Sequence, residues 1–257
     1  MAPVLIHLHV PKCRGSSINR ALGRRFRPRC FTKTANNERY QNYLKKSPAA
    51  RDTRYDAVVG HLLYGEHERF TRPCLYISAT RDPIERLCSL FNHIQTRRDH
   101  PYHAYLREHL PDLNELSRMR LFNTDLRGQF TERFNRTYAR PLGPAGDPDA
   151  NRAMVVEEVR AGRMLIAPFE TITAFLSALG ITEIPTLNVT DLRDPQGFVP
   201  ARAQDLTPRV RRLLEQQFCK HDYRLLEAIA AVAPTDGAQF ARAAGFGDLT
   251  VSPAPAS

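Results

Sequence analysis

Apolar residues in the first part of the chain come as short unbroken runs separated by stripes of helical spacing. Residues 4–10 (Val-Leu-Ile-His-Leu-His-Val), 57–60 (Ala-Val-Val-Gly) and 74–80 (Cys-Leu-Tyr-Ile-Ser-Ala-Thr) are such runs. Runs without apolar/polar alternation fit strands buried on both faces, as in parallel sheets. Residues 16–25 read as a helix, and residues 83–97 as a stronger one. There Ile84, Leu87, Cys88, Phe91 and Ile94 fall on one face. Asp82 is a natural N-cap, Pro83 suits the first helical position, and Glu85 can reach back as in a capping box.

The remainder is less regular. Residues 27–54 are basic and polar with weak periodicity, which predicts a loop with one short helix. Residues 102–140 mix aromatics, arginines and short helical patterns, and 141–148 form a Pro/Gly turn region. A strand at 164–167, a helix at 169–179 and helices starting at 207–208 and 221 follow. The Ala/Pro/Gly-rich stretch 234–257 predicts a loosely held tail. Strands alternating with helices predict an α/β fold, a central parallel β-sheet flanked by helices. The domain reading is one domain over 1–233, with 102–148 an insertion on the acceptor side.

Composition narrows the partners. Lysine and arginine number 37 against 27 acidic residues, a net charge of +10, so anionic partners are expected. Nucleic acid, a nucleotide, an acidic glycan and a membrane surface all satisfy that charge. The basic residues are dispersed, however, without the aromatic interleaving of a nucleic-acid motif, and no nucleic-acid partner is expected. Five scattered cysteines without a CxxC pair disfavour a disulfide framework or a zinc site. No run approaches the roughly 20 apolar residues of a membrane helix. A soluble, cytoplasmic protein is the expectation, and oligomeric state is not legible.

Two segments carry chemistry. The first is Pro11-Lys12-Cys13-Arg14-Gly15-Ser16-Ser17, between the first strand and its helix. Backbone N–H groups at a helix start lack intrahelical partners and the dipole favours anions there. A Walker A loop places lysine after its glycines. Here Lys12 precedes Gly15, so that reading fails on order. Taken alone, the loop fits an oxyanion cradle or a simple capped helix equally. The second segment is Arg81-Asp82-Pro83-Ile84-Glu85-Arg86-Leu87-Cys88-Ser89. Arg81 leaves the C-terminal end of a strand, where ligands sit in open parallel sheets. Ser89 lies two turns beyond Asp82 on the same face, so Arg81 and Ser89 can address one anion.

Together these segments resemble the 5′-phosphosulfate loop and the 3′-phosphate segment of sulfotransferases that use 3′-phosphoadenosine-5′-phosphosulfate (PAPS). The likeness is greatest to the carbohydrate branch that includes heparan sulfate 2-O-sulfotransferases. Their second segment reads Arg-Asp-Pro-x-Glu-Arg-x-x-Ser, matched throughout here. Cys13 and Arg14 depart from the usual Thr and small residue. The resemblance implies a P-loop-like sulfotransferase fold, PAPS as co-substrate, no metal, and a hydroxylated acceptor, in that branch a carbohydrate that can be anionic.

By the same resemblance, Lys12 contacts the group in transit. Gly15, Ser16 and Ser17, with the Cys13 backbone N–H and the Arg14 cation, hold the 5′-phosphate. Arg81 and Ser89 hold the 3′-phosphate, and Arg202 belongs to a late basic loop over the nucleotide. His61, in a Gly-His pair between the two segments, is the candidate general base, with an ordinary pKa near 6.5 suited to the task. His7 and His9 share a strand face behind it. Arg97, Arg98, Arg118, Arg120 and Arg127 are candidates for an acidic acceptor. Competing readings are a nucleotide or small-molecule kinase on a P-loop-like fold and a non-catalytic basic glycan- or RNA-binding module.

Overall fold

A computed structural model describes residues 2–33, 37–117, 147–187 and 197–246. Strands Val4–Leu8 (β1), Cys30–Lys33 (β2), Ala57–Gly60 (β3), Cys74–Thr80 (β4) and Met164–Pro168 (β5) form an all-parallel sheet in the order β2-β3-β1-β4-β5. The fold is α/β, with helices flanking this sheet. β1 is buried at every position, as its unbroken apolar run predicts. It lies between β3 and β4, where the winding of the sheet reverses. The crevice beyond the C-terminal end of β1 is therefore the expected ligand position in an open α/β sheet.

The chain gathers into two compact units, where the sequence reads as one domain over 1–233. One comprises Met1–Thr80, Ala139–Leu187 and Glu227–Ser257, and the other Arg81–Tyr138 and Asn188–Leu226. The first holds the sheet, together with helices Gly15–Arg25 (α1), Asn37–Leu44 (α2) and Pro48–Arg54 (α3). The second has its own apolar core, which is why it separates. Helix Pro83–Thr96 (α4) buries Ile84, Leu87, Cys88, Phe91 and Ile94 against Leu106 and Leu110 of the region around helix His103–His109 (α5) and against Phe198, Val210 and Leu214. Val210 belongs to helix Pro208–Leu213 (α8).

Residues 27–54 differ from expectation, forming an edge strand and two helices rather than a loop with one helix. Their buried groups are largely polar or aromatic, so hydropathy hides them. Phe31 of β2 stacks on Tyr43 of α2 at 4.3 Å between ring centroids. Arg51 of α3 is buried and satisfies the end of α2, donating to the carbonyls of Tyr43 (3.3 Å) and Leu44 (2.7 Å). Similarly, Glu66 is buried, in an ion pair with Arg69 at 3.0 Å.

Helix Pro148–Arg160 (α6) is absent from the sequence reading because its buried stripe is thin, Asn151, Val155 and Val159. Helix Phe169–Ala178 (α7) follows β5 as expected, and Lys220–Ala230 (α9) begins the C-terminal stretch. Residues 237–246, part of the segment whose composition predicts a loose tail, are helical apart from a kink at Gly245 (φ 82°), with Gly237–Ala241 forming α10. Phe240 and Phe246 are buried beside Phe175 of α7, and that apolar contact holds the segment. Residues 247–257 and most of 102–148 lie outside the described residues.

Candidate functional site

The loop after β1 ends in a helix start built without a side-chain cap. Lys12 and Arg14 both have positive φ, 68° and 58°, an uncommon conformation for residues with a side chain. Arg14 occupies the N-cap position of α1 but accepts no N–H bond with its side chain, and the first turn carries no acidic residue. A Ser or Asp cap would neutralise those N–H groups, whereas here the dipole end stays positive. Left-handed residues at such a turn aim backbone N–H groups into an anion-binding concavity. These features fit a bound phosphate or sulfate group.

The individual positions of this loop divide. Gly15 is buried, and a Cβ there would overlap the His9 ring, so glycine is required by packing. Ser17 is buried too, and its Oγ accepts the Leu187 N–H at 3.3 Å. Ser16 is half-buried at the helix start. The Cys13 thiol is buried, and its N–H is aimed at the Val10 carbonyl at 3.4 Å, which turns it away from the role of phosphate donor. Arg14 is exposed and lies over the Phe169 ring at 4.5 Å, a cation–π contact with the first residue of α7.

His61 follows β3 directly. The parallel register pairs Leu8 with Gly60, and the His9 N–H continues it to the Gly60 carbonyl at 3.0 Å. The next residues in register are therefore His9 and His61, and their rings stack at 4.2 Å and 17°. His61 Nδ1 donates to the His9 carbonyl at 3.2 Å. A carbonyl accepts only from N–H, so Nδ1 carries the proton and Nε2 keeps its lone pair. His61 is exposed. Desolvation against its neighbours holds its pKa below the usual imidazole value, Lys33 acts in the same direction, and the His9 carbonyl opposes both.

Behind His61 stands a polar ladder. Asn19 of α1 donates from Nδ2 to His9 Nδ1 at 3.3 Å and accepts from His7 Nδ1–H at 2.5 Å. Burial pulls the pKa of His7 down to about 4 and that of His9 to about 3, the latter helped by His61, His7 and Lys12. Both rings are neutral at physiological pH. The sequence places His7 and His9 on one face; Asn19 and Lys33 went unread. Lys33 closes β2 opposite Gly60, with its Nζ 4.3 Å above the Tyr40 ring. Recognising β2 would have exposed it.

The remaining site residues belong to the second compact unit. Arg81 immediately precedes the Asp82 cap of α4, and Ser89 lies within that helix two turns on. Asp82 caps that helix, accepting the Glu85 N–H at 2.9 Å. The Glu85 carboxylate does not reach back as a capping box would; it pairs with Arg81 Nε at 3.0 Å. The charge of Arg81 draws it outward. Ser89 is half-buried, and one turn on Asn92 bonds both backbone groups of Ala201, which fixes exposed Arg202 beside the same helix. Arg97 is paired with Asp99 at 2.7 Å, whereas Arg118, Arg120 and Arg127 lie outside the described residues.

Among the described residues no group of three or more His, Cys, Asp or Glu side chains is arranged to hold a metal ion. A family model described as "Sulfotransferase family" matches residues 2–140, just over half of the chain and inclusive of the loop, His61 and the Arg81 segment. No curated protein matches the chain.

Proposed function

The chain belongs to the Sulfotransferase family, and we propose that it moves the sulfuryl group of PAPS to a hydroxyl of an acceptor, a carbohydrate by its likeness to the heparan sulfate 2-O branch. The observation that carries this reading is the uncapped start of α1, reached through two left-handed residues, with an imidazole of fixed tautomer on the adjoining strand end. An anion cradle beside a base with an outward lone pair suits transfer to a hydroxyl.

The donor supplies the sulfuryl group when bound. The N–H groups of Gly15 and Ser16 and the Ser17 hydroxyl are the 5′-phosphate contacts in this reading. Lys12 stabilises charge developing on the departing bridge oxygen, the kind of electrostatic term that dominates such displacements. His61 Nε2 takes the acceptor hydroxyl proton, and its lowered pKa keeps that nitrogen unprotonated at neutral pH. Arg81 and Ser89 take the 3′-phosphate, with Arg202 as a further cation. The Cys13 N–H is left out of this set, because it bonds the Val10 carbonyl at 3.4 Å.

Calorimetry with adenosine 3′,5′-bisphosphate, AMP and ATP tests the donor. The bisphosphate is expected to bind more tightly than AMP by about tenfold or more, the gain from one charge-assisted phosphate contact. Equal affinity removes the 3′-phosphate assignment. Labelled-sulfate transfer from PAPS onto a panel of oligosaccharides and small alcohols tests the acceptor, and labelling of only non-carbohydrate alcohols overturns the carbohydrate reading.

A further inference from the structure

We infer that His9 is a positioning residue for His61, holding its imidazole in one plane and one tautomer with Nε2 directed outward. The inference rests on the reading of His61 as the general base. Four contacts carry it. The His9 carbonyl takes the His61 Nδ1 proton at 3.2 Å, and the His9 ring lies against the His61 ring at 4.2 Å and 17°. Asn19 fixes the His9 ring by its bond to Nδ1 at 3.3 Å. Gly15 provides the room that the ring occupies, since no side chain fits there.

A base exposed at a strand end has rotamer freedom, and freedom at the proton-accepting atom costs rate; a misplacement of about 1 Å is worth up to about 10²-fold. Backbone alone fixes little of this. A hydrogen bond to the His9 carbonyl sets which nitrogen is protonated but leaves the ring able to tilt. The stacked ring removes the tilt, provided that it does not itself turn. His9 is buried and tied to Asn19, which is tied in turn to His7 at 2.5 Å. The imidazole of His9 must also be neutral, since a cation against His61 would compete for its role. The groups facing the pair are His7 on β1, Lys12 in the loop and Lys33 at the end of β2. They are cationic or basic and all disfavour a second proton.

The ring is therefore separable from the carbonyl by mutation. His61→Ala is expected to lower kcat by about 10²-fold or more with the bisphosphate Kd unchanged. Full turnover in that variant overturns the base assignment itself. With that assignment standing, His9→Ala is expected to lower kcat about 10- to 100-fold with donor Kd unchanged. The acid limb of its kcat profile should move to higher pH, because His61 gains solvent and returns toward the ordinary imidazole value. His9→Phe, which keeps a stacking ring and the carbonyl but loses the Asn19 bond, should recover part of the lost rate. A merely structural role would lower yield or stability and leave the acid limb in place. An unmoved acid limb in His9→Ala, or a Phe variant as slow as the Ala one, overturns the inference. Should His9→Ala not fold, ¹⁵N NMR of the unmodified protein decides. An Nδ1-protonated neutral His61 is expected, and an Nε2-protonated one refutes the arrangement.

Discussion

Asn92 clasps the backbone of Ala201, donating from Nδ2 to its carbonyl at 2.9 Å and accepting its N–H on Oδ1 at 2.8 Å. Both residues are buried. The pairing ties an irregular segment to α4 one turn beyond Ser89, and so fixes the start of the loop that presents Arg202. An amide side chain is suited to the task because it offers a donor and an acceptor in one plane.

Asn92→Ala strands two buried backbone groups at once. The expected cost is about 2–6 kcal/mol, from about 1–3 kcal/mol for each unsatisfied group. Chemical denaturation should report it, with bisphosphate affinity falling alongside if Arg202 is a donor contact. A variant as stable as the parent would show that water replaces the amide and that the clasp is dispensable.

Arg86 and Asp222 meet at 3.4 Å with side chains 0% and 1% exposed, an ion pair enclosed by the second core. The motif gives Arg86 no visible role, and burial supplies one. Arg86→Ala leaves a buried carboxylate without its ion-pair partner and is expected to cost about 3–5 kcal/mol. Arg86→Met with Asp222→Leu should regain most of that loss, because the charge is removed together with its partner. Equal destabilisation of the single and double variants would show that the guanidinium's packing, not its charge, is what matters.

The contrast between α4 and residues 27–54 shows what the sequence discloses. In α4 the buried side is aliphatic, the cap is Asp82 and the first residue is proline, so pattern and punctuation agree. In 27–54 the buried side is Phe31, Tyr43, Arg51 and Asp52, whose partners are backbone carbonyls and the residues around Thr71. Hydropathy registers a buried arginine as surface, so a real strand and one of the two helices vanish. The same blindness hid Lys33. For the candidate site, the motif proposes Lys12, Gly15, Arg81 and Ser89. It could not reveal that the Cys13 thiol faces inward, nor that His9 stacks on His61, because neither follows from local spacing. The stacking follows from the register of β1 on β3, and the burial of Cys13 from the turn that follows β1.

Neutral His7 and His9 make stability depend on pH. Their folded pKa values, about 4 and about 3, lie below the ordinary value of 6.5. The unfolded chain therefore binds their protons first as pH falls. Stability is full above about pH 6.5 and declines by about 1.4 kcal/mol per histidine per pH unit until the native rings protonate near 4 and 3. Urea denaturation at pH 7.5 and 4.5 should differ by several kcal/mol, and His7→Phe should flatten the difference. A wild-type protein equally stable at both would show that these rings hydrate or protonate without unfolding.

Gly15→Ala tests the packing of the cradle against the histidine pair. The added Cβ would overlap the His9 ring, which is backed by Asn19 and stacked on His61. Relief requires either the start of α1 or the ring to shift. Overpacking of this kind costs typically about 1–3 kcal/mol. Transfer should fall further than stability accounts for, because both the anion cradle and the His61 plane are displaced. Unchanged kcat with unchanged melting would mean that the His9 ring turns aside freely.

Lys12→Ala and Arg81→Ala should fail in different ways. In the proposed reaction Lys12 stabilises charge that appears only as the bridge bond breaks, and such interactions act on kcat rather than on binding. Its removal is expected to lower kcat by about 10²-fold or more, the scale of losing one preorganised donor, with bisphosphate Kd nearly unchanged. Arg81 contacts a phosphate that does not react, so Arg81→Ala should weaken the bisphosphate about tenfold or more while leaving AMP affinity alone. Glu85 complicates the second variant, since its carboxylate pairs with Arg81 Nε at 3.0 Å and would stand uncompensated beside the phosphate. Arg81→Ala with Glu85→Gln separates the two effects. If the double variant binds the bisphosphate as tightly as the parent does, the single variant's loss came from Glu85, and Arg81 is a screen for that carboxylate rather than the phosphate contact.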